Sequence, residues 1–177
     1  MNKAGIDYAI STPAICISEN NELFWYFFTD VKKQVGPYSN NIFGIHYSQS
    51  FFEKDLERFD WLSEQVIQLL KKHSVSQVQL EGYSMSSKSS RIFQIGENTG
   101  ILKKKLKDNF FPFYVIAPTS IKKFATGKGN SNKEEMVSAF VNEINFDIFE
   151  TLSQNTIKKP LEDIVDSYFI LKYTDSN

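Results

Sequence analysis

The sequence predicts an α/β protein built on a mixed sheet, and two observations predict it. Two short segments of period-two alternation and an aromatic run open the chain, and stretches of helical periodicity then alternate with short apolar runs. No internal repeat or linker interrupts that order, so one domain is expected over residues 1–177.

Ala4, Ile6 and Tyr8 share one face of the first strand, and Ile15 and Ile17 continue the alternation after Pro13. The polar run Glu19-Asn20-Asn21-Glu22 turns the chain into an aromatic third strand at 23–28, so the three are expected antiparallel. Residues 36–47, with Pro37, Asn40 and Asn41, read as a loop on the way to a helix. That helix spans 51–72: Phe52, Leu56, Phe59, Leu62, Val66 and Leu69 step by three and four with polar residues between. Residues 74–80 form a short buried strand ending at Glu81-Gly82, and 86–90 a polar loop with helix-capping residues. A second helix runs from about Arg91 to Lys107 on Ile92, Ile95, Leu102 and Leu106. Gly96 and Gly100 inside it each cost about 1 kcal/mol against Ala, which points to another backbone approaching there. Residues 111–116 are the next strand, closed by Ala117-Pro118, and 119–124 a short segment before the loop 126–131. Met136, Phe140 and Ile144 mark a helix from about Asn132. Pro160 suits the first turn of a last helix carrying Leu161, Ile164, Val165, Tyr168 and Phe169.

Composition removes several classes. With 41% hydrophobic and 23% charged residues, the chain is neither disordered nor collagen-like. The longest apolar run, at 23–28, is strand-sized against the roughly 20 residues of a membrane span, and the start lacks the pattern of a secretory signal. Cys16 is the only cysteine, so no internal disulfide or cysteine metal cluster forms, and a cytoplasmic location is expected. The net charge of −1 hides an uneven distribution. Lys103, Lys104, Lys105, Lys107, Lys122, Lys123, Lys128 and Lys133 are opposed only by Asp108 between 103 and 133, while acids collect at 53–64 and near the C-terminus. Such a stretch is either a solvated lysine surface or a polyanion-binding side.

Four acids fall outside the core pattern. Asp7 interrupts the first strand, Glu81 follows directly on another, and Asp163 and Asp166 share a face of the last helix. Singly, each has an ordinary explanation as a strand end, a solvated terminus or a helix-start acid. Together, carboxylates from two strands and a helix repel unless a cation sits between them. Mg²⁺ suits an all-oxygen set, and two such ions can flank a scissile phosphate. His46 and His73 sit in unrelated contexts and read as structural or surface residues.

These residues carry a family resemblance. The chain resembles the RuvC-type Holliday-junction resolvases of the RNase H-like superfamily through Gly5-Ile6-Asp7 and through Leu80-Glu81 before a Ser-rich loop and a Gly-containing helix. It does so again at Ala117-Pro118-Thr119-Ser120-Ile121-Lys122-Lys123 with the Gly127-Lys128-Gly129 loop and Lys133, and at Asp163-Ile164-Val165-Asp166. The match covers roughly residues 4–173, and the Thr-Gly-Lys-Gly-Asn loop looks most like bacteriophage members.

The resemblance implies an RNase H-like sheet with helices on both faces, and a metal-dependent endodeoxyribonuclease that nicks four-way junctions and other branched DNA. It implies that Asp7, Glu81, Asp163 and Asp166 hold two Mg²⁺ ions, with Mn²⁺ substituting, and that Lys122 and Lys133 are the active-site lysines. Hydrolysis then leaves 5′-phosphate and 3′-hydroxyl ends. Tyr83, Ser84, Lys88, Lys123, Lys128 and Asn130 are expected on the DNA. Symmetric nicking implies a homodimer, with the helix at 91–107 as a contact surface.

Two features depart from the family. Tyr8-Ala9-Ile10-Ser11 follows the first Asp where many members have Pro-Gly, and the wedge position three residues after Glu81 is Ser84, flanked by Tyr83 and Met85. Tyr83 is either a base-stacking or a core tyrosine, and Lys133 in a first turn is either an anion-facing or an ordinary exposed lysine. A nuclease for RNA–DNA hybrids, flaps or forks, or an inert branched-DNA-binding protein, are the competing readings. A nucleotide-binding, actin-like role is disfavoured, because the Gly-rich loop lies far from the first hairpin.

Overall fold

A computed structural model describes residues 1–83 and 91–173. Its strands form one six-stranded sheet in the order β4-β3-β2-β1-β5-β6. β1 (Lys3–Asp7), β2 (Ala14–Glu19) and β3 (Glu22–Thr29) are the antiparallel set the alternation predicts. Asn20 and Asn21 make the two-residue turn between Glu19 and Glu22, both at positive φ, a conformation asparagine tolerates and a right-twisted hairpin favours. β5 (Gln77–Glu81) lies parallel to β1, and β6 (Phe113–Ile116) parallel to β5.

β4 (Ile42–His46) is a correction: it lies where the sequence reads as loop, paired in parallel with β3. The strand is five residues long and preceded by turn chemistry, with Asn40 and Asn41 at positive φ, so no alternation long enough to recognise develops. Gly44 is required there, because a Cβ would overlap the Gln34 carbonyl.

The two faces of the sheet carry separate cores. α1 (Asp55–Lys72) and α2 (Ile92–Asp108) cover one, over Ile6, Ile15, Phe28, Leu62, Val66, Leu80 and Leu102. α3 (Pro118–Thr126), α4 (Lys133–Glu143), the single turn α5 (Ile148–Thr151) and α6 (Leu161–Tyr173) cover the other, over Trp25, Phe27, Phe140, Ile164 and Phe169. The segment at 119–124 is thus helical, opened by Pro118 in its first turn and closed by Gly127 at φ +80. α4 begins on a capping box in which the Asn132 side chain accepts from the Glu135 N–H and the Glu135 carboxylate accepts from the Asn132 N–H.

Two further expectations are revised. α1 starts at Asp55, after a 3₁₀ turn at Gln49–Phe51, so Phe52 lies outside it. Its inward stripe runs through Phe59, Leu62, Ser63, Val66, Ile67 and Leu70, leaving Leu56 61% exposed. Around Gly96 and Gly100 no atom beyond the helix's own backbone and the adjoining residues lies within 4 Å of an added Cβ, so the close neighbour expected there is absent from the described residues of this chain.

Candidate active site

Period two places Asp7 and Gly5 on the face of β1 opposite Ala4, Ile6 and Tyr8, toward α6. On β5 the same rule opposes Gln79 and Glu81 to the core residues Val78 and Leu80. The parallel register pairs Gly5 with Gln79 and Ile6 with Leu80, so the next step along both strands brings Asp7 and Glu81 side by side. α6 supplies the third edge. It crosses β1 at Gly5, where a Cβ would overlap the Leu171 backbone nitrogen and the Ser167 carbonyl oxygen. That close crossing lays the first two turns of α6, with Asp163 and Asp166, against the ends of β1 and β5.

The four carboxylates feel one another. Burial raises Asp7 well above the usual carboxylate range, and the charges of Glu81, Asp163 and Asp166 raise it further. Glu81 is pushed up to about 7, by burial first and by Asp163, against the pull of Lys122. Asp166 also rises to about 7, through burial, Glu81 and Asp163, again opposed by Lys122. Asp163 is buried and raised, with Lys159 opposing the shift. Its Oδ2 is buried with no hydrogen-bond partner.

The expected cations divide. Lys122, on α3, donates from Nζ to the Ser131 carbonyl at 2.8 Å and acts electrostatically on Glu81 and Asp166. Lys133 shares a pocket with Lys122 and Asp166 but is ion-paired with Glu162, so the anion that its helix-start position calls for is a side chain of α6. Lys159 and Glu162 are site residues that sequence reasoning missed. Lys159 is ion-paired with Asp163 and lines a cleft with Asp7, Glu81, Tyr83 and Arg91, while Glu162 raises both aspartates of α6. The available signal was helical spacing, since Lys159 and Asp163, and likewise Glu162 and Asp166, stand four apart.

Of the residues expected on DNA, Tyr83 is half exposed, with the Lys103 ammonium 4.8 Å from its ring centre. Lys123, Lys128 and Asn130 are exposed. Thr126 and Ser131 hydrogen-bond each other and the carbonyl of Lys128, which shapes the loop carrying Lys128 and Asn130. Ser84 and Lys88 lie outside the described residues. The basic stretch is not one bare surface. Lys105 pairs with Asp60 and Glu64, Lys104 with Asp108, and Lys128 with Glu135.

Among the described residues, no three or more His, Cys, Asp or Glu side chains are placed so that together they could hold a metal ion. The donor chemistry nevertheless fits a hard divalent cation: four mutually repelling carboxylates, one orphaned acceptor oxygen, and no sulfur or imidazole among them.

This fold, with antiparallel β1–β3 followed by parallel β5 and β6 and helices on both faces, is that of the RNase H-like resolvases. A family model described as crossover junction endodeoxyribonuclease RuvC matches residues 46–163, and the chain belongs to that family, a class of metal-dependent, junction-resolving nucleases. Similar solved structures include RuvC from Thermus thermophilus in complex with a Holliday junction substrate, at TM-score 0.67 and 14% identity over 99% of this chain and 94% of that one. The fowlpox virus resolvase in complex with Holliday junction DNA gives TM-score 0.57 and 18% identity over 99% and 98%. The yeast mitochondrial Holliday junction resolvase gives 0.58 and 16% over 97% and 76%. No curated protein matches the sequence.

Proposed function

We propose that this chain resolves four-way DNA junctions by hydrolytic nicking at Asp7, Glu81, Asp163 and Asp166. The observation that carries the reading is the convergence of these acids from β1, β5 and α6, with Lys122 beside them. They are assigned two Mg²⁺ ions, with Mn²⁺ as substitute. Bound there, the metal polarises the scissile phosphate and favours ionisation of the attacking water. With the metal held, the carboxylates would place the attacking water in line with the phosphorus, one of its protons passing to solvent. The water oxygen bonds to phosphorus as the P–O3′ bond breaks, leaving a 3′-hydroxyl and a 5′-phosphate. Lys122 offsets charge developing on the phosphate, as preorganised cations do. Lys133 does the same once DNA competes with Glu162 for its ammonium.

Tyr83, Lys123, Lys128 and Asn130 are placed along the DNA, with Ser84 and Lys88 added from sequence. A homodimer is proposed through α2, where Phe93 is 80% exposed and Gly96 and Gly100 present open backbone. No helix among the described residues is long and apolar enough to cross a membrane, and the buried lone Cys16 accords with a reducing cytoplasm.

The test is a labelled four-way junction incubated with and without Mg²⁺, with matched fork, flap and RNA–DNA hybrid substrates beside it. Paired, symmetric nicks in opposing strands that need the metal are expected. Preference for another substrate overturns the junction assignment. Cutting that survives Asp7→Asn and Glu81→Gln overturns the site, and a wild type that never cuts with Mg²⁺ or Mn²⁺ leaves a binding protein.

A further inference from the structure

Lys159 is held in place more firmly than a surface lysine requires. Its backbone carbonyl accepts from Gln34 Nε2 at 3.4 Å and from Gln154 Nε2 at 3.2 Å, and Gln34 Oε1 accepts in turn from Thr29 Oγ1 at 2.7 Å. The peptide just before α6 is therefore tied to the end of β3. From that anchor the side chain crosses to Thr12, to whose hydroxyl it donates, and to Asp163 Oδ1 at 3.3 Å. It thus joins the β1–β2 connection to α6 across the cleft that contains Asp7 and Glu81. Its charge also acts favourably on Asp7. The Oδ2 of Asp163 makes no hydrogen bond.

An ammonium so placed, with Lys122 on the side of Glu81 and Asp166, answers only part of the repulsion among the four carboxylates. A divalent cation answers more, yet it must take Asp163 from Lys159 and then share the cleft with a positive charge. We propose that Lys159 is the site's resident counter-cation, a positioning residue that holds Asp163 until a divalent ion displaces it and whose charge sets how tightly that ion binds. The inference rests on the reading of the four acids as metal ligands.

The experiment is a calorimetric titration of Mn²⁺ into the full chain without DNA, at pH 8, for wild type, Lys159→Gln and Lys159→Arg. The lysine side chain is about half exposed, so the substitutions leave both cores intact. Removal of the charge is expected to tighten Mn²⁺ binding roughly tenfold, the surface setting having been allowed for. Lys159→Arg, which keeps the charge, is expected to stay within about twofold of wild type. A purely structural role predicts the reverse, weaker binding in Lys159→Gln. Unchanged or weaker binding in Lys159→Gln, beside a wild type that binds, overturns this proposal alone. A wild type that binds no Mn²⁺, or whose binding survives Asp7→Asn, overturns both it and the metal-ligand reading.

Discussion

Glu81 and Asp166 carry pKa values near 7 in the metal-free protein, so the fold retains protons that the unfolded chain releases at a lower pH. The sign follows by linkage. Where the folded state binds more protons, stability declines as pH rises, here from the ordinary carboxylate range up to about 7. The metal-free protein is expected to melt ~5 °C or more lower at pH 8 than at pH 5.5, with saturating Mg²⁺ recovering the loss, as differential scanning calorimetry will show. Asp166→Asn, which relieves the same repulsion, is expected to raise the melting temperature at pH 8 while abolishing cutting. Lys122 is proposed to stand on the catalytic side of that balance. Lys122→Met is expected to slow single-turnover junction cleavage by about 10²-fold with little change in junction affinity, because it acts on charge that develops in the transition state. The four acids were legible because each breaks a local pattern. Lys159 was not, because Lys158-Lys159-Pro160 reads as a helix break and nothing local shows that its side chain crosses to Thr12.

The site depends on how α6 lies against β1. With no side chain at Gly5, the helix backbone rests on the strand, and any Cβ must push it away. Gly5→Ala is expected to cost ~3 kcal/mol in urea denaturation and to reduce metal binding along with stability, since it displaces Asp163 and Asp166 together. At the opposite end of β1 a buried polar chain pins α1 to the sheet. Tyr26 OH is 2.7 Å from His73 Nε2, His73 Nδ1 is 2.9 Å from Glu19, and Asn2 donates to the His73 carbonyl at 2.7 Å. Tyr26→Phe leaves a buried ring nitrogen without its partner, and is expected to cost ~1–3 kcal/mol while leaving cutting by the folded fraction unchanged. Periodicity exposed the long elements, α1, α2, α4 and α6, and the first hairpin. It did not expose β4, whose five residues are too few for a recognisable alternation and pair in parallel with β3.

For the whole molecule, the outward apolar residues of α2 form the surface proposed for assembly. Phe93 and Leu56 are exposed, and Gln94 reaches Asp55 at 2.9 Å, so the N-terminal ends of α1 and α2 present them on one side. If the proposed dimer forms through this surface, Phe93→Asp is expected to give a monomer in sedimentation and to replace paired nicks with single ones, the fold of the monomer being kept. Element order apart from β4, motif spacing and the four candidate acids were readable from the residues alone, because periodicity and interrupted patterns are local properties of a chain. Only the tertiary structure decided which lysine faces which acid. Lys105 spends its charge on α1, Lys133 on Glu162 and Lys159 on Asp163, while Lys122 is left beside Glu81 and Asp166. The physical reason is that a side chain's partner depends on where distant backbones cross. The crossing that matters most here is set by a glycine on β1 meeting a helix more than 150 residues further along the chain.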